Sequence, residues 1–316
     1  MIIKHRKKAF ILSLILILAS LLSMGYHMVV DGFGTLGLNL GIDFAGGTVL
    51  QLNLGEEFDV TEVEEILDAQ DIESASVQTV RTRDEDGEYV DEGVLIKTRL
   101  IDEAGRDRLM DAMIERWPDM DKEDRSIESV GAAVGSEQKK WSAIALAVAL
   151  ICMIIYITLR FEFRFALATI GALIHDVIIV VGIFSLLRFD INITFVAALL
   201  TIVGYSINDS IVIIDRIREN LTHKLKKDYA EVVDRSIMQC LNRSINTSLT
   251  TLMVLIALMV GFYLFVGNLD LVVFVVAMIV GVVVGTYSSI FIASPLWLTM
   301  KENSLKAEAR KKATTN

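Results

Sequence analysis

Long apolar runs constrain the fold of this chain more than any other feature, because about 20 consecutive apolar residues are needed for a helix to cross the hydrocarbon core of a bilayer. Five runs reach or approach that length, and a sixth is interrupted by Arg243 and by several Ser and Thr residues. The six runs cover residues 10–26, 141–159, 165–187, 191–214, 237–266 and 271–293. The sequence therefore predicts a polytopic α-helical membrane protein with six transmembrane helices.

Basic residues mark one side of the predicted membrane. They precede the first run, separate the second from the third and the fourth from the fifth, and follow the sixth, with Lys139 and Lys140 as exceptions on the other side. Positively charged loops stay in the cytoplasm, so both termini are predicted to be cytoplasmic. The first run is long and lacks a convincing small-residue cleavage site, which favours an uncleaved anchor over a signal peptide.

The segment between the first two runs is strongly acidic, within a chain of net charge −10, and has the pattern of a soluble α+β domain. Its predicted strands are 48–54, 76–82, 94–100 and 125–130, and its predicted helices are 61–70 and 102–117. The acidic segment 83–93 is interpreted as a hairpin loop. This βαββαβ order predicts a ferredoxin-like domain.

These predictions divide the chain into four parts. They are a cytoplasmic N-terminus with transmembrane helix 1 (1–30), an extracytoplasmic α+β domain (31–140), a five-helix transmembrane region (141–300) and a basic cytoplasmic tail (301–316). We expect the tail to contact anionic lipid or to fix topology rather than to bind nucleic acid.

Two glycine-bearing stretches adjoin the predicted domain: "GIDFAGGTVLQ", with Gly41, Gly46 and Gly47, and "VGAAVG", with Gly131 and Gly135. A phosphate-binding loop needs a helix N-terminus after its glycines. Here a predicted strand follows Gly47, and no Lys lies near. We therefore interpret the five glycines as structural turns or as places of close backbone packing.

No feature of the sequence predicts catalysis. The chain has two cysteines, Cys152 and Cys240, which provide neither a disulfide for the domain nor a metal cluster. A nucleophile paired with a base and a nucleotide-binding motif are also missing from the pattern. The sequence therefore predicts a protein that is not an enzyme and that binds no metal or other cofactor.

Ionisable residues inside the apolar runs are the candidate functional residues, since burying each in a membrane costs about 2.5 to 3.5 kcal/mol. They are Asp209 in the fourth run, His175 and Asp176 in the third, and Arg243 at the start of the fifth. Asp209 and Arg243 each lie six residues from a predicted cytoplasmic boundary, which places both about 9 Å deep. The sequence predicts that these two side chains form an ion pair. His175 and Asp176 are adjacent and point about 100° apart, so we do not expect them to face the same partner.

Two interpretations of these charges remain open. In the first, they form a water-accessible proton pathway, and protonation of Asp209 releases Arg243 and switches the helix bundle. The polar residues of its predicted wall are Ser244, Thr247, Ser248, Thr250 and Thr251 of the fifth run and Tyr205 and Asn208 of the fourth. In the second, the ion pair is a static packing device, and the hydroxyl groups bond the carbonyls of their own helix.

Six motifs along the chain resemble the SecF family of protein-export membrane subunits, which is related to the RND transporter superfamily. They lie in order at residues 41–51, 130–135, 160–166, 175–186, 203–220 and 236–253. The resemblance implies a subunit of the bacterial cytoplasmic (inner) membrane that pairs with SecD, associates with the SecYEG channel and uses the proton motive force late in polypeptide export. It also implies YajC and YidC as further partners and unfolded exported polypeptide as the cargo. The family's intramembrane acid and arginine match Asp209 and Arg243.

Two other functions fit part of the same pattern. Half of an RND-type, proton-driven exporter of small molecules or lipids would share the intramembrane acid and the external α+β domain. One external domain and six spans are half of the usual exporter unit, which favours the protein-export hypothesis. A scaffold without any proton role is the remaining alternative.

Overall fold

The structure is a computed structural model that describes residues 2–32, 35–72, 74–83, 89–222, 228–266 and 269–315. The chain forms two compact units. The helical unit comprises Met1–Asn39, Ile144–Met259 and Leu271–Asn316, and the sheet unit comprises Leu40–Ala143 and Val260–Asp270. In chain order the helices are α1 (Arg6–Val30), α2 (Ile42–Ala45), α3 (Val60–Ala69), α4 (Glu103–Arg116), α5 (Ala132–Arg160), α6 (Phe163–Leu187), α7 (Ile193–Thr222), α8 (Tyr229–Gly261), α9 (Leu269–Ser288) and α10 (Ser294–Thr315).

Six helical segments of the described chain are long and apolar enough to cross a membrane, which confirms the predicted multi-pass architecture. They are Ile3–Val30, Ala132–Arg160, Phe163–Leu187, Ile193–Thr222, Tyr229–Leu264 and Asp270–Lys312. The last segment, here called the sixth span, joins α9 to α10 through a π-turn at Ser289–Ala293. A second π-turn, Phe262–Val266, follows α8.

Helices α6 and α7 form the interior of the helical unit. Half of the most apolar window of each is buried, compared with 17% for α1, 6% for α5 and 11% for α8. Phe165 of α6 stacks on Trp297 of α10 with ring centroids 4.4 Å apart. Small residues bring the sixth span close to α7, because a Cβ added at Gly281 would lie 2.3 Å from Ile202. The exposed faces of α1, α5 and α8 are therefore available to lipid or to another protein.

The sheet unit contains the predicted βαββαβ order. Its strands are β1 (Gly47–Asn53), β2 (Ser74–Arg83), β3 (Tyr89–Thr98) and β4 (Asp121–Val130), and α3 and α4 occupy the two helical positions. The strands pair antiparallel in the order β2-β3-β1-β4. Leu50 and Leu52 of β1, which alternate along one face, are fully buried in a core with Leu67 of α3 and Met113 of α4.

The acidic segment 83–93 is only partly a loop, which corrects the sequence prediction. β2 extends to Arg83 and β3 begins at Tyr89, and the two strands pair from Arg83 and Tyr89 onward. Polar and acidic side chains mask the strand signal here because an antiparallel strand needs only one apolar face. Residues 84–88 of the predicted loop lie outside the described residues.

Aspartates cap the two helices of the sheet unit. Asp102 accepts a hydrogen bond of 2.8 Å from the backbone N–H of Gly105 at the start of α4. Asp59 caps α3, and hydrogen bonds from the hydroxyl and backbone N–H of Thr61 lower the pKa of its carboxyl group. Both caps satisfy backbone donors that a helix N-terminus leaves free.

Gly46 and Gly47 lie where only glycine fits. Both have positive φ, 76° and 150°, which disfavours any residue with a Cβ. A Cβ at Gly46 would also lie 2.9 Å from Ala132 Cα, and one at Gly47 would lie 2.6 Å from the carbonyl oxygen of Thr98. The double glycine thus lets the chain turn from α2, a short helix that the sequence pattern did not predict, into β1.

The other three predicted glycines differ from one another. A Cβ at Gly135 would lie 3.0 Å from the carbonyl oxygen of Phe44, so the backbone is closely packed there. Gly41 precedes α2 with an ordinary φ of −63°. Gly131 lies between β4 and α5, and a Cβ there would meet no atom within 4 Å, so close packing does not require glycine at this position. The sequence could not separate these cases because it shows neither φ nor the neighbouring backbone.

Candidate functional site

Asp209 is buried on α7 with both carboxyl oxygens bound to serine hydroxyls. Ser244 of α8 donates to Oδ1 at 2.6 Å, and Ser289 of the π-turn donates to Oδ2 at 2.6 Å. Both serines are almost fully buried, at 1% and 0% exposure. Hydroxyl donors stabilise the ionised form of a carboxyl group. When Asp209 takes up a proton, its own O–H becomes a donor, so the serine beside that oxygen can accept from it but must direct its own proton to another acceptor.

The predicted ion pair between Asp209 and Arg243 is not formed within the described chain. The depth estimate is consistent with the structure, because Ser244, the next residue after Arg243, reaches Asp209. Arg243 itself is exposed on the surface of α8. Consecutive helical side chains point about 100° apart, so a register that aims Ser244 at α7 aims Arg243 away from it.

Arg243 borders a surface groove between α7 and α8. The groove is also lined by Arg216, Arg218, Asp215 and Glu219, near the ends of the two helices. The guanidinium of Arg243 therefore borders a groove that also contains acidic and basic side chains of α7.

Asp176 is fully buried on α6 and lies at the centre of a second hydrogen-bond cluster. Ser206 of α7 and Ser288 of α9 donate to its Oδ2 at 2.6 and 2.7 Å, and His175 Nδ1 lies 2.9 Å from its Oδ1. His175 and Asp176 therefore bond each other, which corrects the expectation that neighbouring residues would have separate partners. The side chains curl around the helix toward each other although their Cβ atoms diverge.

His175 extends this cluster to α1. Its Nε2 lies 3.0 Å from the hydroxyl of Ser13, which lies 3.2 Å from the hydroxyl of Tyr287. Tyr287 in turn donates to the backbone carbonyl of Ala9 at 3.0 Å. The cluster around His175 and Asp176 thus connects α6 to three other helices, α1, α7 and α9.

The threonines proposed as a pathway wall bond their own helix. Thr250 and Thr251 donate to the backbone carbonyl of Thr247 at 2.9 Å each. Another polar contact of α8, besides that of Ser244, does cross helices. Tyr205 of α7 donates to Ser248 at 3.2 Å, and Ser248 lies 2.6 Å from the hydroxyl of Thr286 on α9.

Sequence reasoning missed three of the four serines that hold the two carboxyl groups, and it named the fourth, Ser244, as a polar residue of the pathway wall without predicting its contact with Asp209. Ser206, Ser244, Ser288 and Ser289 each donate to Asp176 or Asp209. The adjacent pair Ser288 and Ser289, inside the sixth apolar run, was the available signal. No group of three or more His, Cys, Asp and Glu side chains in the described part of the chain is arranged to hold a metal ion.

Comparisons with known proteins identify the family. The profile described as "Protein export membrane protein SecD/SecF, C-terminal" matches residues 110–303, and that described as "SecD/SecF GG Motif" matches residues 32–55. The chain is 37% identical to the protein translocase subunit SecF of Vibrio alginolyticus, over 96% of this chain and 92% of that protein. It is 38% identical to the SecF subunit of Rhodothermus marinus, over 99% and 96%.

Solved structures agree with this assignment. The crystal structure of SecDF, a translocon-associated membrane protein from Thermus thermophilus, matches with a TM-score of 0.75 and 33% identity over 94% of this chain. A SecDF structure in a super-membrane-facing form matches with a TM-score of 0.63 over 96% of this chain. This chain spans 38% and 39% of those longer SecDF chains. The chain belongs to the SecD/SecF family of protein export membrane proteins.

Proposed function

We propose that this chain is a SecF-type subunit that pairs with SecD and uses the proton motive force to assist late steps of polypeptide export through the SecYEG channel. The observation that carries the proposal is Asp209, a carboxyl group buried in an apolar helix and held by two serine hydroxyls. Intramembrane acids are costly and usually serve proton or ion pathways. The SecF names of the relatives supply the transport role, which involves no catalysis of a covalent reaction.

Protonation of Asp209 is the proposed switch. As an anion, Asp209 accepts from Ser244 on α8 and from Ser289 in the sixth span, and so ties three helices together. As a neutral acid, Asp209 accepts a serine hydroxyl on the oxygen that lacks the proton, and the serine beside the other oxygen loses its place as donor. One proton moving through 100 mV supplies about 2.3 kcal/mol, which exceeds the roughly 1.4 kcal/mol that shifts an equilibrium tenfold.

Arg243 supports pairing with a second subunit. A guanidinium exposed on a membrane helix is costly in lipid, and such groups usually face protein or water. The window of α8 that carries the apolar run is only 11% buried within this chain. We assign the exposed face of α8, with Arg243, to the contact with SecD, where an acidic group of SecD would neutralise the guanidinium.

The localisation of the chain, the classification of its sheet unit and its further partners are proposed on the same assignment. We place the chain in the bacterial inner membrane with both termini in the cytoplasm and the sheet unit outside it. The βαββαβ order and the β2-β3-β1-β4 sheet support a ferredoxin-like classification of that unit. SecYEG, YajC and YidC are the proposed further partners, and unfolded polypeptide is the cargo.

The test is complementation of cells that lack this chain. We expect Asp209→Asn to leave the protein assembled in the membrane but to slow export of a secreted reporter to the rate of the deletion strain. Asp215→Asn, an exposed acid on the same helix, is the matched control and should export normally. Normal export by Asp209→Asn, or loss of drug or lipid efflux with normal export in the deletion strain, would contradict the proposal.

A further inference from the structure

Two adjacent serines in the sixth span contact two different buried acids. Ser288 donates to Asp176 on α6 at 2.7 Å, and Ser289 donates to Asp209 on α7 at 2.6 Å. Both serines have no exposed surface. They lie where α9 passes into the π-turn Ser289–Ala293, and single π-turns inside helices are frequent at functional sites.

Each of these serines has a second acceptor in its own helix. Ser288 Oγ lies 3.2 Å from the carbonyl oxygen of Gly285, and Ser289 Oγ lies 3.0 Å from that of Thr286. A hydroxyl group has one proton to donate. The carboxylate and the backbone carbonyl therefore compete for it, and the serine can turn to its own helix without losing its hydrogen bond when the acid becomes protonated.

Hydrogen-bond accounting fixes one proton on His175. Tyr287 donates to the backbone carbonyl of Ala9, which can only accept. Ser13 must therefore donate to Tyr287, which leaves its oxygen to accept from Nε2 of His175. This direction of the chain requires a proton on Nε2, because a hydroxyl group supplies one donor.

The contact between His175 and Asp176 holds a further proton. Ser206 and Ser288 both donate to Asp176 Oδ2. The contact of 2.9 Å between His175 Nδ1 and Asp176 Oδ1 needs one proton, on either atom. The pair is then imidazolium with carboxylate or imidazole with carboxylic acid, and in both forms its net charge is zero.

Asp209 has no such partner in the part of the chain that the structure describes. Its two contacts are the hydroxyls of Ser244 and Ser289, which donate to it. Asp209 therefore shares no proton with a titratable partner among its hydrogen bonds, whereas Asp176 shares one with His175. Two other titratable groups lie near these sites: Tyr287, on the sixth span beside Ser13 and His175, and Cys240 of α8, which interacts electrostatically with Asp209. Arg243 of α8 is exposed.

We propose that Ser288 and Ser289 couple the two acids, so that protonation of Asp209 changes where the shared proton lies in the His175–Asp176 pair. A proton on Asp209 leaves the Ser289 hydroxyl donating to the Thr286 carbonyl alone, and this changed bond acts on the backbone where the π-turn begins. Ser288, one residue earlier, then changes its donation to Asp176. Ser288 acts as a positioning residue, and the inference deepens the proposed function by giving the Asp209 site a second, connected proton site.

The test is an infrared titration of the purified full chain. Carboxylic acid bands are assigned to the two acids by their loss in Asp209→Asn and in Asp176→Asn, and the pH at which the Asp209 band is half developed is then compared between variants. The Ser288 side chain bonds Asp176 and not Asp209. We nevertheless expect Ser288→Ala to move the Asp209 midpoint by about half a pH unit or more, because residues of one hydrogen-bond network are energetically coupled. Thr299→Ala removes a hydroxyl of the same span that bonds its own helix, and should leave the midpoint unchanged.

A double-mutant cycle separates coupling through the serines from a general disturbance. Asp176→Asn should move the Asp209 midpoint without Ser288→Ala, and because the pair is neutral before and after the change, a charge effect through space is small. Adding Ser288→Ala to Asp176→Asn should produce no further movement. The single variant Asp176→Asn also keeps the test decisive if Ser288→Ala fails to fold.

Identical midpoints in the wild type, Ser288→Ala and Asp176→Asn would overturn the inference, as would a full additional shift in the double variant. The titration needs neither SecD nor secretion. If the titration shows coupling but export does not depend on this chain, the proposed function alone is refuted. If export depends on Asp209 but the titration shows no coupling, the inference alone is refuted.

Discussion

At the residue scale, Gly281 decides how closely the sixth span approaches α7. A Cβ there would lie 2.3 Å from Ile202, which is fully buried. We predict that Gly281→Ala lowers the stability of the helical unit by about 1 to 3 kcal/mol, because overpacked cores force neighbours to move. Gly204→Ala on α7 is the control, since no atom lies within 4 Å of its added Cβ. Thermal unfolding in detergent measures both, and equal melting temperatures would contradict the packing described for α9.

Asp59 gives the sheet unit a defined response to acid. Its pKa is lower in the folded protein than the ordinary value of 3.8, because Thr61 donates to the ionised carboxyl group. The stabilisation is therefore present above that ordinary value and is lost as the pH falls through the lower folded value. We predict that hydrogen-exchange protection of α3 decreases over this acidic range in the wild type. Asp59→Asn, which caps without titrating, should show a flatter profile, and parallel profiles would disprove this origin.

Residue-level prediction located the two buried acids, where charge interrupts an apolar run, but did not predict the hydroxyl groups that bond them. Asp176 and Asp209 stand out in the sequence because burial of an acid needs a reason. Ser244 and Ser289 do not, because a serine in a helix can bond a carbonyl of its own helix at no tertiary cost. Arg243 was assigned to the wrong partner because depth along a helix is predictable from residue counts, whereas rotation by one residue is not.

At the scale of elements, the apolar runs and the alternating segments determined most of the fold. All six spans were predicted, and the observed helices extend beyond the runs because polar residues continue them at their ends. The π-turn at Ser289–Ala293 was not predicted, since its hydrogen bonds depend on contacts with neighbouring helices rather than on local pattern. The polar start of β3 was missed for a related reason, because its pairing with β2 supplies the hydrogen bonds.

The N-cap of α4 tests how the second helix of the sheet unit is held. Asp102→Ala removes the acceptor for the backbone N–H of Gly105, and we predict that it lowers the free energy of opening α4 by about 1 kcal/mol. Hydrogen exchange followed peptide by peptide in the intact chain measures this loss. Glu115→Ala, an exposed acid near the other end of α4, is the control. An equal loss of protection in both variants would mean that the cap contributes nothing specific.

At the scale of the whole molecule, we have proposed that the exposed face of α8 contacts SecD. Reversing the charge of Arg243, as in Arg243→Glu, should weaken co-purification with SecD more than tenfold, because breaking a buried charge pair typically costs about 2 to 5 kcal/mol. Arg235→Glu, an exposed arginine near the start of the same helix, should recover SecD normally. Full recovery of SecD by Arg243→Glu would place the contact on another face.

The central claim is that a proton on Asp209 drives the cycle of this subunit, and it is tested most directly in inverted membrane vesicles that contain the complete translocase. Export of a reporter polypeptide is measured with the proton motive force imposed and then collapsed, for the wild type and for Asp209→Asn. We predict that collapse slows export in the wild type, and that Asp209→Asn exports at this slower rate under both conditions. Export by Asp209→Asn that still accelerates as in the wild type when the proton motive force is imposed would contradict the account.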